Sequence, residues 1–384
     1  MTKIAYVSTY VPKKCGLATY TFHLRQAVNG AKGRRDKDPV IALSDWKEER
    51  DVDPLLWPLQ RDDEAAYAKM ARKVNHSDVD VVSLQHEFGI FGGEAGAHIL
   101  AFIRQLEKPL ITTFHTVFEQ PKPPYAPIQK EIADRSSKII VMNRKAIDYL
   151  HKAFGVSKDK IYFIPHGAPE PNLESRQKLR ERLGWQNRKV LMTFGLLSRG
   201  KGIELLLKAL PEVAAEVPDV LYAIVGQIHP EVKRREGERY REELMEWIRA
   251  GGIERNVVMI DRYMEENDLV NHLSACDIYV TPYPGMQQIT SGTLAYAVGL
   301  GRPVLTTPYS YAQDLLADYP ELLLPHDDAK AWSAKIVSLL QNDVLLKGWG
   351  KKIETIGNGM HWPTVGKKHE RLFSEVSRLA FVTR

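Results

Sequence analysis

Residues 277–307 constrain the fold more tightly than any other part of this chain. Asp277-Ile-Tyr-Val-Thr-Pro282 is an apolar run that reads as a buried strand. After Tyr283 comes a polar, glycine-bearing turn ending in Thr290-Ser291-Gly292-Thr293, then a small-residue helical run over 294–300. Gly301-Arg302-Pro303 stops that helix, and Val304-Leu305-Thr306-Thr307 opens another strand. Strand, turn, helix and strand make the unit of a parallel sheet, whose ligands lie at the carboxyl ends of the strands. The free N–H groups and the positive dipole end at Ser291, Gly292 and Thr293 suit a phosphate or sugar phosphate. The same pattern also fits an ordinary strand-to-helix connection in a packed domain.

The rest of the chain repeats this alternation twice. In the first half, strand-like runs at 3–8, 40–43, 79–84, 109–114, 137–142 and 160–165 alternate with helical spacing at 18–28, 64–74, 97–106, 128–135 and 144–154. His166 to Ser175 is rich in Pro and Gly and reads as a linker. The alternation then restarts, with strands at 190–194, 220–225 and 257–260 and helices at 202–214, 236–251, 266–274, 328–341 and 343–357. The expected architecture is α/β: two Rossmann-like, doubly wound domains facing across a cleft. Residues 1–170 form the first domain, completed by a C-terminal helix at 363–384, and 171–362 form the second. A chain of 384 residues is comfortable for two such cores.

Composition narrows the partners. A net charge of +5 favours anionic ligands or an anionic membrane surface but is too small to argue for nucleic acid. Two cysteines, Cys15 and Cys276, exclude a disulfide framework and make a reducing cytoplasm the expected setting. The opening residues read as a first strand rather than a signal peptide. No apolar run approaches the roughly 18 residues of a membrane span, so only peripheral membrane contact stays open.

The residues that could do chemistry are those just after strands. Pro12-Lys-Lys-Cys-Gly-Leu-Ala-Thr19 follows the first strand; it is neither GxGxxG nor Walker A, but Gly16 before a helix lets backbone approach a phosphate. Gln85-His86-Glu87-Phe88-Gly89 mixes polar groups, aromatics and glycine, as a sugar site requires. His86 and Glu87 are adjacent and point apart, so they form no dyad. His115 follows the next strand. Gly195-Leu-Leu-Ser-Arg-Gly-Lys-Gly202 joins a strand to a helix and offers Arg199 and Lys201 to phosphates, unless it is only a solvated basic loop. HExxH, GxSxG and paired CxxC are absent, which removes hydrolase and zinc-enzyme classes.

Taken in order, several motifs resemble glycosyltransferase family 4, the group 1 retaining transferases of the GT-B fold. They are the Gly16 loop, Phe114-His115-Thr116, Ile164-Pro165-His166-Gly167 and the 195–202 loop with Lys201. Asp277–Pro282, Gly301-Arg302-Pro303-Val304 and the ending from His361-Trp362 through Phe373 complete the set. The resemblance implies hexose transfer from a GDP-, UDP- or ADP-linked donor, with retained anomeric configuration, no metal and no tightly bound cofactor. It implies that Lys201 and the Ser291–Thr293 turn hold the donor phosphate. It also implies that His115 contacts the donor sugar and that the acceptor lies against the first domain, on the side of His86 and Glu87. Leu196 stands where the family usually has Arg. The family's two glutamates fall on Gln288, whose amide can still meet donor hydroxyls, and Tyr296, which has no carboxylate for a ribose. Two other readings compete: a glycoside phosphorylase of the same architecture, using phosphate or a sugar 1-phosphate, and a non-catalytic sugar-binding protein.

Overall fold

The computed structural model describes residues 1–33, 38–44, 54–172 and 174–382. The chain divides into two compact units, Met1–Gly167 with Trp362–Arg384, and Ala168–His361. Leu173 of the linker and residues 383 and 384 of the expected last helix lie outside the described residues.

The first unit is built on β1 (Ile4–Ser8), β2 (Val40–Ser44), β3 (Leu56–Gln60), β4 (Val81–His86), β5 (Leu110–Phe114), β6 (Lys138–Val141) and β7 (Ile161–Phe163). Every pairing is parallel, and the order is β3-β2-β1-β4-β5-β6-β7. β1 and β4 are buried at every position. Parallel strands covered on both faces are mostly apolar and lack a polar alternation, and the polar residues they do carry, Ser8, Ser83, Gln85 and His86, are buried with them. β3 is an addition to the sequence reading: Leu-Trp-Pro-Leu-Gln carries Pro58, which a strand tolerates at a sheet edge, and β3 is the edge. The last helix, Trp362–Val382, packs on helix Gly16–Ala31 and places Trp362, Val365, Leu372, Phe373 and Val376 in the core of this unit.

The second unit is built on β8 (Lys189–Phe194), β9 (Val220–Val225), β10 (Val257–Ile260), β11 (Ile278–Thr281) and β12 (Val304–Thr306), all parallel, in the order β10-β9-β8-β11-β12. The helix expected at 236–251 is Arg239–Ala250, and a short helix that the sequence reading lacks, Pro230–Glu236, precedes it, ended by Gly237 at φ +62°. Helix Arg176–Leu183, directly after the expected linker, buries only Leu179 and leaves no apolar period to read. Among the described residues no helix is long and apolar enough to cross a membrane.

The order of strands reverses between β1 and β4 in the first sheet and between β8 and β11 in the second. Connections leave such a pair in opposite directions and open a crevice at the carboxyl ends of the strands, so ligands gather there.

The first unit also buries four histidines, His86, His115, His166 and His369. Burial holds each neutral, pulling the imidazolium pKa from 6.5 to about 3 for His86 and His115 and about 4 for His166 and His369. An unfolded histidine takes up a proton below about pH 6.5, whereas these do not until about pH 3–4. The unfolded state therefore binds more protons in that window, and stability falls as pH drops through it. At pH 5 the loss is about 2 kcal/mol per histidine. Urea unfolding followed by far-UV circular dichroism should show a lower midpoint at pH 5 than at pH 7, and His86→Phe should make that slope shallower. A slope left unchanged by the substitution would contradict the neutral buried state.

Candidate functional site

The switch point of the second sheet collects the polar groups that the sequence sets apart. β8 passes through Gly195, at φ +130°, into a single 3-10 turn, Arg199–Lys201. A Cβ at position 195 would only touch Lys201 Nζ and Thr293 Cγ2, each at 3.4 Å, so it is the φ of +130° that calls for glycine here. Gly202 ends the turn at φ +63°, and a Cβ there would overlap the Pro282 carbonyl oxygen, which presses the lysine loop onto the end of β11.

Lys201 Nζ donates to Tyr283 Oη at 2.9 Å and lies 4.5 Å from the centre of its ring. Tyr283 Oη is 2.8 Å from Thr293 Oγ1, which is 3.2 Å from Ser291 Oγ. Ser291 is the N-cap of helix Gly292–Gly299 and accepts from the Leu294 N–H at 3.3 Å. The result is a chain of one ammonium and three hydroxyls leading to the positive end of a helix. Among the described residues Lys201 has no carboxylate partner. Arg199 is turned elsewhere: its guanidinium pairs with Glu243 at 2.6 Å and Glu236 at 3.5 Å and sits 5.1 Å from the Tyr240 ring centre. The structure thus groups Lys201, Ser291, Gly292 and Thr293, and neutralises Arg199 apart from them.

Gln288 and Thr290 lie on the turn before this helix, where Gln288 Nε2 donates to the Thr290 carbonyl at 2.9 Å. Tyr296 is buried one turn into the helix, its ring 6.4 Å from that of Phe194. Beyond the ends of β9 and β10 opens a cavity of about 390 Å³ lined in part by Gln227, Ile228, Lys233 and Asp261. Its rim is tied to the lysine loop, because the Leu197 N–H donates to the Gln227 carbonyl and the His229 N–H to the Leu197 carbonyl, both at 2.9 Å. Sequence reasoning missed Tyr283, Gln227 and Asp261. Tyr283 reads as core packing after a strand, and its partner Lys201 lies far away in the sequence.

In the first unit, Gly16 opens helix Gly16–Ala31, whose first turn holds no acidic residue; a side chain at 16 would meet nothing within 4 Å. Cys15 caps this helix, its sulfur accepting from the Ala18 N–H at 3.4 Å. His86 ends β4 fully buried between Phe88, Phe91 and Phe114, with ring centroids at 4.8, 5.9 and 5.3 Å; neither ring nitrogen has a partner among the described residues. Glu87 points away from it, as adjacent residues on extended chain must. Its carboxylate accepts the Thr116 hydroxyl at 2.6 Å and the Phe88 N–H at 2.9 Å, and burial nevertheless pushes its pKa up. Beside it, Phe88, Phe118 and Tyr125 pack ring to ring at 4.9–5.7 Å, with Tyr125 exposed. His115 Nε2 is 3.0 Å from Gln85 Oε1. Gln85 Nε2 donates to Ser83, so the amide oxygen faces the histidine and Nε2 carries the proton. Among the described residues no three His, Cys, Asp or Glu side chains come together as a metal-ligand set.

Comparison with known proteins agrees with this layout. The model described as Glycosyltransferase Family 4 matches residues 29–170, and that described as Glycosyl transferases group 1 matches residues 188–342. A GDP-mannose-dependent alpha-(1-6)-phosphatidylinositol monomannoside mannosyltransferase of Mycolicibacterium smegmatis is 24% identical over 286 residues, 72% of this chain and 68% of the relative. Among solved structures, sucrose-phosphate synthase from Thermosynechococcus elongatus superposes with TM-score 0.77 at 17% identity, over the whole of both chains. HepE from Anabaena, crystallised in complex with UDP, gives TM-score 0.75 at 17% identity, covering 97% of this chain and all of that one. With both family models matched in order and the two parallel sheets in place, the chain belongs to the family 4, group 1 glycosyltransferases and has the GT-B fold.

Proposed function

We propose that this glycosyltransferase moves a hexose from a nucleoside-diphosphate sugar to a saccharide, lipid-linked or small-molecule acceptor, with retention of anomeric configuration and without a metal. One observation carries the reading. Among the described residues the ammonium of Lys201 has no carboxylate partner; it donates to Tyr283, whose hydroxyl meets Thr293 at the N-terminus of helix Gly292–Gly299. A cation next to the positive end of a helix is unfavourable until an anion joins them. A diphosphate supplies that anion, and it is the leaving group when the bond from sugar carbon to phosphate oxygen breaks. Donors already in place where negative charge develops stabilise that step. The relatives support the donor class: the mycobacterial enzyme is named for GDP-mannose, and HepE was crystallised with UDP. Gly16 and the turn holding Gln288 and Thr290 are assigned to the donor phosphate and sugar, His115 to the donor sugar, and His86 and Glu87 to the acceptor side. Peripheral membrane contact belongs to this proposal only for a lipid-linked acceptor.

Tyr296, in place of a ribose-holding carboxylate, favours the phosphorylase as the second reading. Thermal melting with UDP, GDP, ADP, phosphate, glucose 1-phosphate and mannose 1-phosphate separates the two. A ligand at a hundred times its dissociation constant adds about 2.7 kcal/mol to the folded state. The transferase predicts stabilisation by one nucleoside diphosphate; response to phosphate and a sugar phosphate alone would establish the phosphorylase instead. Lys201→Ala should cost about 3 kcal/mol of transition-state stabilisation, measured as release of nucleotide from the donor. Arg199→Ala, which breaks exposed ion pairs and the contact with the Tyr240 ring, should change that rate less than about twofold and stability by about 1 kcal/mol. The reverse ranking would move the phosphate site to Arg199. Gln288→Glu should retain or raise donor turnover, and its loss would remove Gln288 from the donor-hydroxyl role.

A further inference from the structure

Tyr283 belongs neither to the phosphate-holding turn nor to the lysine loop, yet it joins them. We infer that Tyr283 is a positioning residue: its hydroxyl fixes the Lys201 ammonium and orders the hydroxyls of Thr293 and Ser291 toward the head of helix Gly292–Gly299. The inference rests on the nucleotide-sugar reading above. An ammonium can only donate, so at 2.9 Å Tyr283 Oη must accept from Lys201 Nζ. The single phenolic proton then goes to Thr293 Oγ1 at 2.8 Å. With Tyr283 donating to it, Thr293 is left to donate to Ser291 Oγ at 3.2 Å, where the Leu294 N–H also arrives. The charge at Lys201 thus sets the direction of the Tyr283 and Thr293 protons.

The tyrosine cannot drift from this place. It is 1% exposed, its ring lies against Tyr309 with centroids 5.2 Å apart and planes 25° apart, and its carbonyl takes the Thr307 hydroxyl at 2.6 Å. Lys201 sits on a loop with four rotatable side-chain bonds, so it needs such an anchor to meet a phosphate without first losing rotamer freedom. A phenol suits the task better than a carboxylate, because it directs the ammonium without neutralising it.

The test is a double-mutant cycle on the full chain with Tyr283→Phe and Lys201→Met, read by calorimetric titration with GDP and UDP. Tyr283→Phe keeps the ring and its stack and removes only the hydroxyl. For whichever nucleotide binds the unaltered chain, Tyr283→Phe should raise the dissociation constant about tenfold, the range of a hydrogen bond to a charged group. The same change in the Lys201→Met background should have almost no further effect, because the charge that orders the chain is already gone. A merely structural tyrosine would act equally in both backgrounds, and that additivity would overturn the inference, as would an unchanged constant in Tyr283→Phe. If Tyr283→Phe does not fold, Thr293→Val, which removes the next hydroxyl, replaces it in the cycle with the same expectations. If the unaltered chain binds neither GDP nor UDP, ADP is titrated in the same way, and failure of all three would remove the transferase reading itself, and this inference with it.

Discussion

An ammonium that, among the described residues, meets a phenol and no carboxylate is the constraint on which the rest of the second unit turns. Of the two basic residues in the 195–202 loop, Arg199 is neutralised by Glu243 and Glu236, while Lys201 is directed into a bed of hydroxyls. Keeping a cation there calls for close contacts that few residues permit. Gly195 supplies the backbone turn that leads into the lysine loop, and Gly202 lets the loop descend onto Pro282. Charge, hydroxyls and helix terminus then act on one small volume. Taken alone none of the three would define a site; together they present an anion with donors that need no reorganisation.

The topology explains why both units carry their candidate residues where they do. Each sheet grows outward from a central pair, β1 with β4 and β8 with β11, and the chain leaves each pair in opposite directions. Gly16, His86 and Glu87 follow the first pair; Lys201, Tyr283 and Ser291 follow the second. The two sets differ in character. The second is cationic and hydroxyl-rich, suited to phosphate, whereas the first is aromatic, with a carboxylate already held by Thr116 and a ring cluster of Phe88, Phe118 and Tyr125 beside it. Aromatic faces next to a hydrogen-bonded carboxylate match the apolar faces and hydroxyls of a sugar, in keeping with the acceptor role proposed for that side.

Much of this was legible in the sequence because buried parallel strands and glycine-marked turns leave local signals. β9 is apolar end to end, β1 is so up to Ser8, and the N-cap Ser291 stands directly before its helix. What escaped had no local signal. Pro58 disguises an edge strand, Arg176–Leu183 buries a single leucine, and the short helix Pro230–Glu236 buries no residue at all. The pairing of Lys201 with Tyr283 depends on β8 and β11 being neighbours, which only the strand order reveals. Arg199 and Lys201 look equivalent in the loop; their different fates are decided by Glu236 and Glu243 on later helices.

Hydrogen–deuterium exchange with and without a saturating nucleoside diphosphate tests the central claim most directly, since it reports where the ligand is held without needing the acceptor. If the anion is bound by the lysine loop and the helix head, amides in 195–202 and 291–296 should exchange more slowly in the complex, and Lys201→Met should abolish the protection in both segments together. Protection confined to other segments, or protection of these two that survives loss of the ammonium, would contradict the account.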